Sequence, residues 1–403
     1  MTQPHVEPLL EPRDGIPPVI ETWPELSAAV DAFARGTGPV AMDAERASGY
    51  RYSGRAYLVQ LRREGAGTAL IDPVACPDLG ELDRVLADAE IVLHAATQDL
   101  PCLAELGFRP RRLFDTELAA RLLGYERVGL ATMVEVVLGL RLEKGHSAAD
   151  WSRRPLPEDW LRYAALDVEV LVELRDALYE QLVESGKLEW ALEEFAAILS
   201  APASPPKSDP WRRTSGIHRV RSLRGLAIVR ELWTLRDEIA READLAPGRV
   251  LPDSAIVQAA LEQPRTTKAL TEITAFTGRS ARRHLREWLD AVNRGRTMPE
   301  SALPQPAPPG NGPPPTNRWA DRDPAAAKRL AAARTVLAGL SEEHRVPVEN
   351  LLPPDAVRKL TWSPPAEITT ETVADRLREL GARRWQVALT AGPLAAELAR
   401  LAG

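Results

Sequence analysis

The sequence predicts an α/β domain with a mixed sheet, followed by two small all-helical modules. Three observations carry that prediction. Strand-like runs come first and then alternate with helical patterns between residues 1 and 200. Helical spacing dominates beyond residue 211, and two Pro-rich stretches, Ala201–Pro210 and Pro299–Thr316, divide the chain into 1–200, 211–298 and 317–403. A chain of 403 residues exceeds one ordinary core, so several domains are expected.

In the first segment Pro39–Glu45, Tyr57–Leu61 and Thr68–Asp72 read as three successive strands, with Ile91–His94 as a fourth. Helical patterns cover Leu79–Ala87, Asp99–Leu106, Asp115–Leu123 and Leu130–Leu138, and one long helix runs from about Pro157 to Ser185. A strand meander that then alternates with helices implies a mixed sheet covered by helices. Next, Ser222–Ala243 carries Leu226, Val229, Trp233, Leu235 and Ile239 close to helical spacing, and Asp253, after Pro252, is placed to cap a following helix. A faint repeat aligns Leu251–Ile256 with Leu352–Val357, each followed by a Trp-bearing final helix with Trp288 or Trp385. Two tandem copies of one helical fold is the simplest reading, with both Pro-rich stretches as extended linkers.

No apolar run reaches the roughly 18 residues of a membrane span, and the acidic N-terminus lacks the basic-then-apolar pattern of a signal peptide. Two cysteines, Cys76 and Cys102, are too few for a disulfide framework and read as reduced thiols of a cytoplasmic protein. The formal charge of −6 hides an asymmetry. Residues 1–200 hold 20 Lys+Arg against 34 Asp+Glu, residues 201–300 hold 18 against 12, and residues 301–403 hold 13 against 11. An acidic body with a basic middle segment fits a carboxylate enzyme bearing a polyanion-binding appendage, although ordinary surface variation explains it as well.

Asp43 and Glu45 lie two apart in a strand, hence on one face of the sheet. Acidic residues are poor strand formers, yet a strand ending in a polar turn would give the same pair. Asp99 follows an apolar strand and opens a helix, where an acid commonly serves the helix dipole. Tyr163 and Asp167, four apart in a helix, share a face and can orient a water and hold a metal. Each element alone is weak; their order along one chain is informative.

The segments VAMDAERASGYRYSGRAYLVQL, LHAATQDLPCLAELG, FDTELAARLLG and DWSRRPLPEDWLRYAALDVEVL resemble the exonuclease motifs of the DEDD superfamily, tyrosine branch, and in particular the ribonuclease D family. The likeness runs over about 150 residues and includes Leu70–Pro73 and Asp150–Trp151. The superfamily's histidine branch would place a histidine at residue 162, which here is Arg162, so Tyr163 assigns the branch. The resemblance implies a ribonuclease H-like (DnaQ-like) exonuclease domain, followed by two all-α domains of HRDC type at 211–298 and 317–403. Arg46 departs from the family, which often has an aromatic or aliphatic residue after the second acid.

What the resemblance implies is a metal-dependent 3′→5′ exoribonuclease that trims RNA 3′ ends, transfer RNA precursors among them. Asp43, Glu45, Asp99 and Asp167 would be the ligands of two divalent cations, Mg²⁺ or Mn²⁺, as a hard oxygen donor set requires. Tyr163, a poor base with a free pKa of about 10, would orient the water. The partner is RNA with a single-stranded 3′ end; no membrane or protein partner is implied. Like charges raise one another's pKa, so the metal-free cluster should bind cations avidly and activity should fall with pH. Trp151 is a candidate substrate-side aromatic, His94 reads as a packed or backbone-bonded histidine, and His146 as a loop histidine. The Arg279–Arg286 run, placed on the last helix of the middle module, reads equally as a phosphate contact or a solvated face. A DNA 3′→5′ exonuclease and a non-catalytic RNA-binding protein on the same fold are the alternatives.

Overall fold

The computed structural model describes residues 6–142, 145–146, 148–202, 208–305 and 312–402. Eight strands are present among them: β1 (Glu7–Leu9), β2 (Val19–Ile20), β3 (Thr37–Arg46), β4 (Ala56–Glu64), β5 (Gly67–Ile71), β6 (Ile91–Leu93), β7 (Leu113–Asp115) and β8 (Leu140–Leu142). Six form one sheet in the order β2-β5-β4-β3-β6-β7, while β1 and β8 pair separately. The β3–β4–β5 meander is antiparallel, and β6 and β7 add in parallel beside β3, so the sheet is mixed. β3 lies inside it, with Val40, Ala41 and Met42 fully buried; this run of apolar residues suits a strand covered on both faces.

Eight helices complete the first segment: α1 (Trp23–Arg35), α2 (Gly80–Val85), α3 (Leu100–Glu105), α4 (Thr116–Leu123), α5 (Leu130–Met133), α6 (Glu158–Glu169), α7 (Leu171–Glu184) and α8 (Leu188–Ser200). α1 starts at a capping box in which Thr22 and Glu25 satisfy each other's backbone N–H. Two expected helices come out differently. The span from Pro157 to Ser185 is two helices, broken where Val170 takes φ −102° and ψ −6°. No Gly or Pro announces that break. Leu130–Leu138 is one α turn followed by a π-helical stretch, Val134–Leu138, that ends at Gly139 with positive φ.

The first helical module comprises α9 (Leu223–Glu242), α10 (Pro247–Val250), α11 (Asp253–Glu262), α12 (Thr267–Glu272), α13 (Arg279–Arg283) and α14 (Leu285–Thr297). Its core centres on Trp288, Ile256, Phe276 and Leu232. α9 and α14 cross so closely at Gly295 that a Cβ there would stand 2.6 Å from Ile228 Cα. The second comprises α15 (Trp319–Arg322), α16 (Pro324–His344), α17 (Val348–Leu351), α18 (Pro354–Trp362), α19 (Thr370–Glu379) and α20 (Arg384–Ala402). The long–short–medium order of α9–α10–α11 recurs in α16–α17–α18, with the Leu-Pro turn before the third helix in each.

Two local expectations are corrected. Asp253 makes no cap; its carboxylate accepts from Ser215 N at 2.7 Å and from Arg236 Nη1 at 2.6 Å, because a buried guanidinium outcompetes a helix end that water can satisfy. The Arg279–Arg286 run spans two helices, breaking at His284. The stretches read as linkers include residues 203–207 and 306–311, which lie outside the described ones. Val346, Leu351 and Trp385 belong to the hydrophobic core of the first domain. No described helix is long and apolar enough to cross a membrane.

Candidate active site

Strand alternation brings Asp43 and Glu45 to one face at the end of β3, and α6 lays Asp167 across them. One carboxylate oxygen from each of the three lies within 4.8 Å of the others. Asp43 is held from the neighbouring strand: Gln60 sits opposite it in register and donates its amide to Oδ2 at 3.0 Å.

Asp99 arrives by a tight turn. After β6, Ala95 adopts the left-handed conformation, φ 63°. The N–H groups of Ala95 and Ala96 donate to the Asp115 carboxylate at 3.1 and 2.9 Å. That same carboxylate caps α4 through Glu117 N and Leu118 N, so one buried acid welds turn and helix together. Asp99 itself makes no capping bond and is only 3% exposed; a dipole role therefore does not account for it. Asp43, Glu45, Asp99, Tyr163 and Asp167 all line one cleft of about 360 Å³.

The helix bearing Tyr163 and Asp167 is positioned by residues that sequence reasoning noted only as landmarks. Arg154 donates to Asp72 through Nε at 2.6 Å and Nη2 at 2.8 Å, and to the Tyr57 carbonyl at 2.7 Å. This fork ties the end of β5 to the loop that enters α6. Trp151 is corrected here: it is fully buried, packs on Trp160 and near Tyr163, and donates its indole N–H to the His146 carbonyl at 3.1 Å. With no face open to a base, it supports the tyrosine helix from beneath. A Trp beside an Asp reads alike as core or as surface, since periodicity does not reach into a loop.

Without cations the cluster is electrostatically frustrated. Burial pushes Asp43 up to about 6. Burial and the Asp43 charge push Asp99 up to about 8. Burial, with Asp43, Asp167 and Asp99 nearby, pushes Glu45 up to about 10, and Asp167 is raised well above its ordinary range by burial and Asp43. The Tyr163 phenol is likewise held protonated by burial and by the Asp167 and Glu45 charges. Half-buried His94 is pushed down to about 4 by desolvation and bonds Thr116 Oγ1 at 2.8 Å, so it is neutral. His146 packs edge-on to Tyr163 with its Nε2 3.4 Å from Asp159. Clustered carboxylates with no sulfur or imidazole ligand among them fit hard divalent cations, which would relieve this repulsion.

Comparison with known proteins places this arrangement. Residues 19–183 match the family model described as 3′-5′ exonuclease. A curated ribonuclease D of Gluconacetobacter diazotrophicus is 31% identical over 338 residues, 82% of each chain. The chain belongs to the ribonuclease D family. Ribonuclease D of Escherichia coli is 32% identical over 333 residues, covering 81% of this chain and 84% of that one. Its crystal structure, described as an exoribonuclease involved in structured RNA processing, superposes with a TM-score of 0.67 at 29% identity, covering 90% of this chain and 98% of that one. A protein from Bifidobacterium adolescentis superposes with a TM-score of 0.89 at 39% identity, covering 98% and 100%. As a member of the family, this chain is a 3′→5′ exoribonuclease, and its fold carries the family's dependence on divalent metal. The HRDC model matches residues 225–292, whereas residues 312–398 match a separate model, the 3′ to 5′ exonuclease C-terminal domain.

Proposed function

We propose that this ribonuclease D-type enzyme trims single-stranded 3′ ends of structured RNA, transfer RNA precursors among them, in the cytoplasm. Nucleoside 5′-monophosphates leave one at a time. The observation that carries the reading is the meeting of Asp43, Glu45 and Asp167 within 4.8 Å, with Asp99 on the wall of the same cleft. The description of the Escherichia coli relative supports structured RNA as the substrate class, and two buried free thiols suit a reducing compartment.

In this reading Asp43, Glu45, Asp99 and Asp167 hold two divalent cations, Mg²⁺ or Mn²⁺. Bound there, such ions supply an activated water and charge stabilisation for the departing 3′ oxygen. The chain's own groups do the rest. Gln60 fixes Asp43 by its amide hydrogen bond, and the Asp115-braced turn fixes Asp99. Tyr163, kept protonated by burial and by its acidic neighbours, donates a hydrogen bond that orients the attacking water. It is not the base. Neutral His94 lines the cleft wall as a hydrogen-bond partner of Thr116. The two helical modules, the second an HRDC-like copy by its helix order, guide the RNA to the cleft.

The test is a gel time course on a 5′-labelled RNA with an unpaired 3′ tail, run with Mg²⁺, with Mn²⁺ and with EDTA, beside a matching DNA strand. A ladder that shortens from the 3′ end, needs metal, is slower on DNA and is absent in Asp167→Asn is expected. RNA bound but left intact under both metals would overturn the reading.

A further inference from the structure

The cleft that holds the carboxylates must receive a polyanion, yet five acids line it: Asp43, Glu45, Asp99, Asp167 and Glu117. Arg46 is the one permanently charged cation on that wall among the described residues, since His94 is neutral there. It also lines the adjoining cleft of about 420 Å³, which runs past Ser48 and Gly49 toward the first helical module. Gly49 accepts a hydrogen bond from Arg249 of that module at 2.8 Å. Arg46 thus stands on the boundary between the carboxylate cluster and the groove that leads away from it.

Its guanidinium is fixed in place. Nη1 donates to the Gln98 carbonyl at 2.7 Å, and Nη2 lies 3.4 Å from Asp99 Oδ1. A guanidinium has five N–H donors, so these contacts leave donors unused, and 28% of the side chain is exposed. A pinned planar cation with spare donors suits a phosphodiester oxygen better than a base edge, because the charge-assisted bond needs no sequence-specific partner.

We propose that Arg46 is a substrate-binding residue that holds one of the two phosphodiesters nearest the RNA 3′ end. The inference rests on the nuclease reading above and adds to it a residue outside the carboxylate and tyrosine set. The rival role is structural: Arg46 would only hold Asp99 in place.

The experiment measures binding of a short single-stranded RNA to the full-length protein in EDTA, where hydrolysis stops. The RNA is all-phosphate or carries one neutral methylphosphonate at a chosen linkage. Arg46→Met should weaken binding of the all-phosphate strand about tenfold, the scale of one charge-assisted hydrogen bond. The loss should vanish on the strand neutralised at the last or next-to-last linkage and persist on strands neutralised further upstream. Arg46→Lys should recover part of the affinity, and Arg46→Gln serves as a second neutral variant should the methionine fold poorly. Calorimetric Mn²⁺ binding separates the roles, since removing a cation beside Asp99 should leave it equal or tighter. Unchanged RNA affinity, a loss equal on every neutralised strand, or a loss that comes with weakened Mn²⁺ binding would each overturn the proposal. Metal-dependent shortening of RNA by the wild type is scored separately, so failure of the nuclease reading is distinguishable from failure of this one.

Discussion

Two charge clusters of opposite sign sit in opposite surroundings. The carboxylates of the cleft are packed together, with Glu45, Asp99 and Asp167 buried and Asp43 half-buried. Four arginines of the first helical module, Arg279, Arg282, Arg283 and Arg286, are exposed, and their side chains make no ion pair with another described residue. Buried like charges must be neutralised by protons or cations. Solvated like charges are screened over about 8–10 Å and stay ready for a polyanion. The contrast separates a site that needs a specific ion from a surface that needs only a phosphate backbone.

The largest effect should come from the buried cluster. Asp167→Asn or Asp43→Asn is expected to lower kcat on the order of 10³-fold, as loss of a group that acts on transition-state charge does. Circular dichroism should show the fold intact, and activity within tenfold of wild type would break the contrast.

A second test uses pH. The cluster carboxylates titrate high in the folded, cation-free protein, with Asp43 at about 6, Asp99 at about 8 and Glu45 at about 10. Between the ordinary carboxylate range and these values the folded state binds more protons than the unfolded chain, so stability falls as pH rises. Cations replace those protons. The gain in Tm on adding Mg²⁺ or Mn²⁺ should therefore be larger at pH 8.5 than at pH 5.5, and at a hundred times Kd the stabilisation is about 2.7 kcal/mol. Equal gains at both pH values would mean that protons and cations do not compete for this cluster.

Docking of the second module is expected to matter less. Trp385 stacks on Trp190 with ring centroids 4.9 Å apart and planes 12° apart, and Glu193 and Glu194 receive Arg384, Trp385 and Arg383. Lys187 donates to the Arg345 carbonyl at 3.4 Å, and Gly124 comes so close that a Cβ would stand 2.6 Å from that same carbonyl oxygen. Trp385→Ala should cost about 3 kcal/mol and raise protease sensitivity around residues 312–402, while hydrolysis of dinucleotides persists. An unaltered Tm would show that the module docks without this stack.

The smallest effect belongs to the exposed arginines. Arg282→Gln with Arg283→Gln should weaken RNA binding several-fold and lower the salt slope by about 2, leaving Tm unmoved. An unaltered slope would assign the patch to plain solvation.

Much of the architecture was legible in the sequence because it rests on local patterns. Short continuous apolar runs marked β3 to β6, and helical spacing beyond residue 211 marked an all-helical C-terminal part. The four acids and the tyrosine could be singled out by order and spacing, and the structure brings all five to one cleft. Other features left no local trace. The break at Val170 has no Gly or Pro, the burial of Trp151 depends on a loop folding under α6, and Asp253 gives up a cap for a buried guanidinium. The Asp72–Arg154 fork joins residues 82 apart, and the Asp115 brace joins residues about 20 apart.

The sequence by itself determined that Asp43 and Glu45 share one face of a strand and that Tyr163 and Asp167 share one face of a helix, because strand and helix periods decide which side chains point the same way. Only the tertiary structure decided that Arg46 lies beside Asp99 and that Trp385 leaves its own module to stack on Trp190. Those pairings are set by how separate elements pack, and no spacing along the chain encodes the distance between two elements.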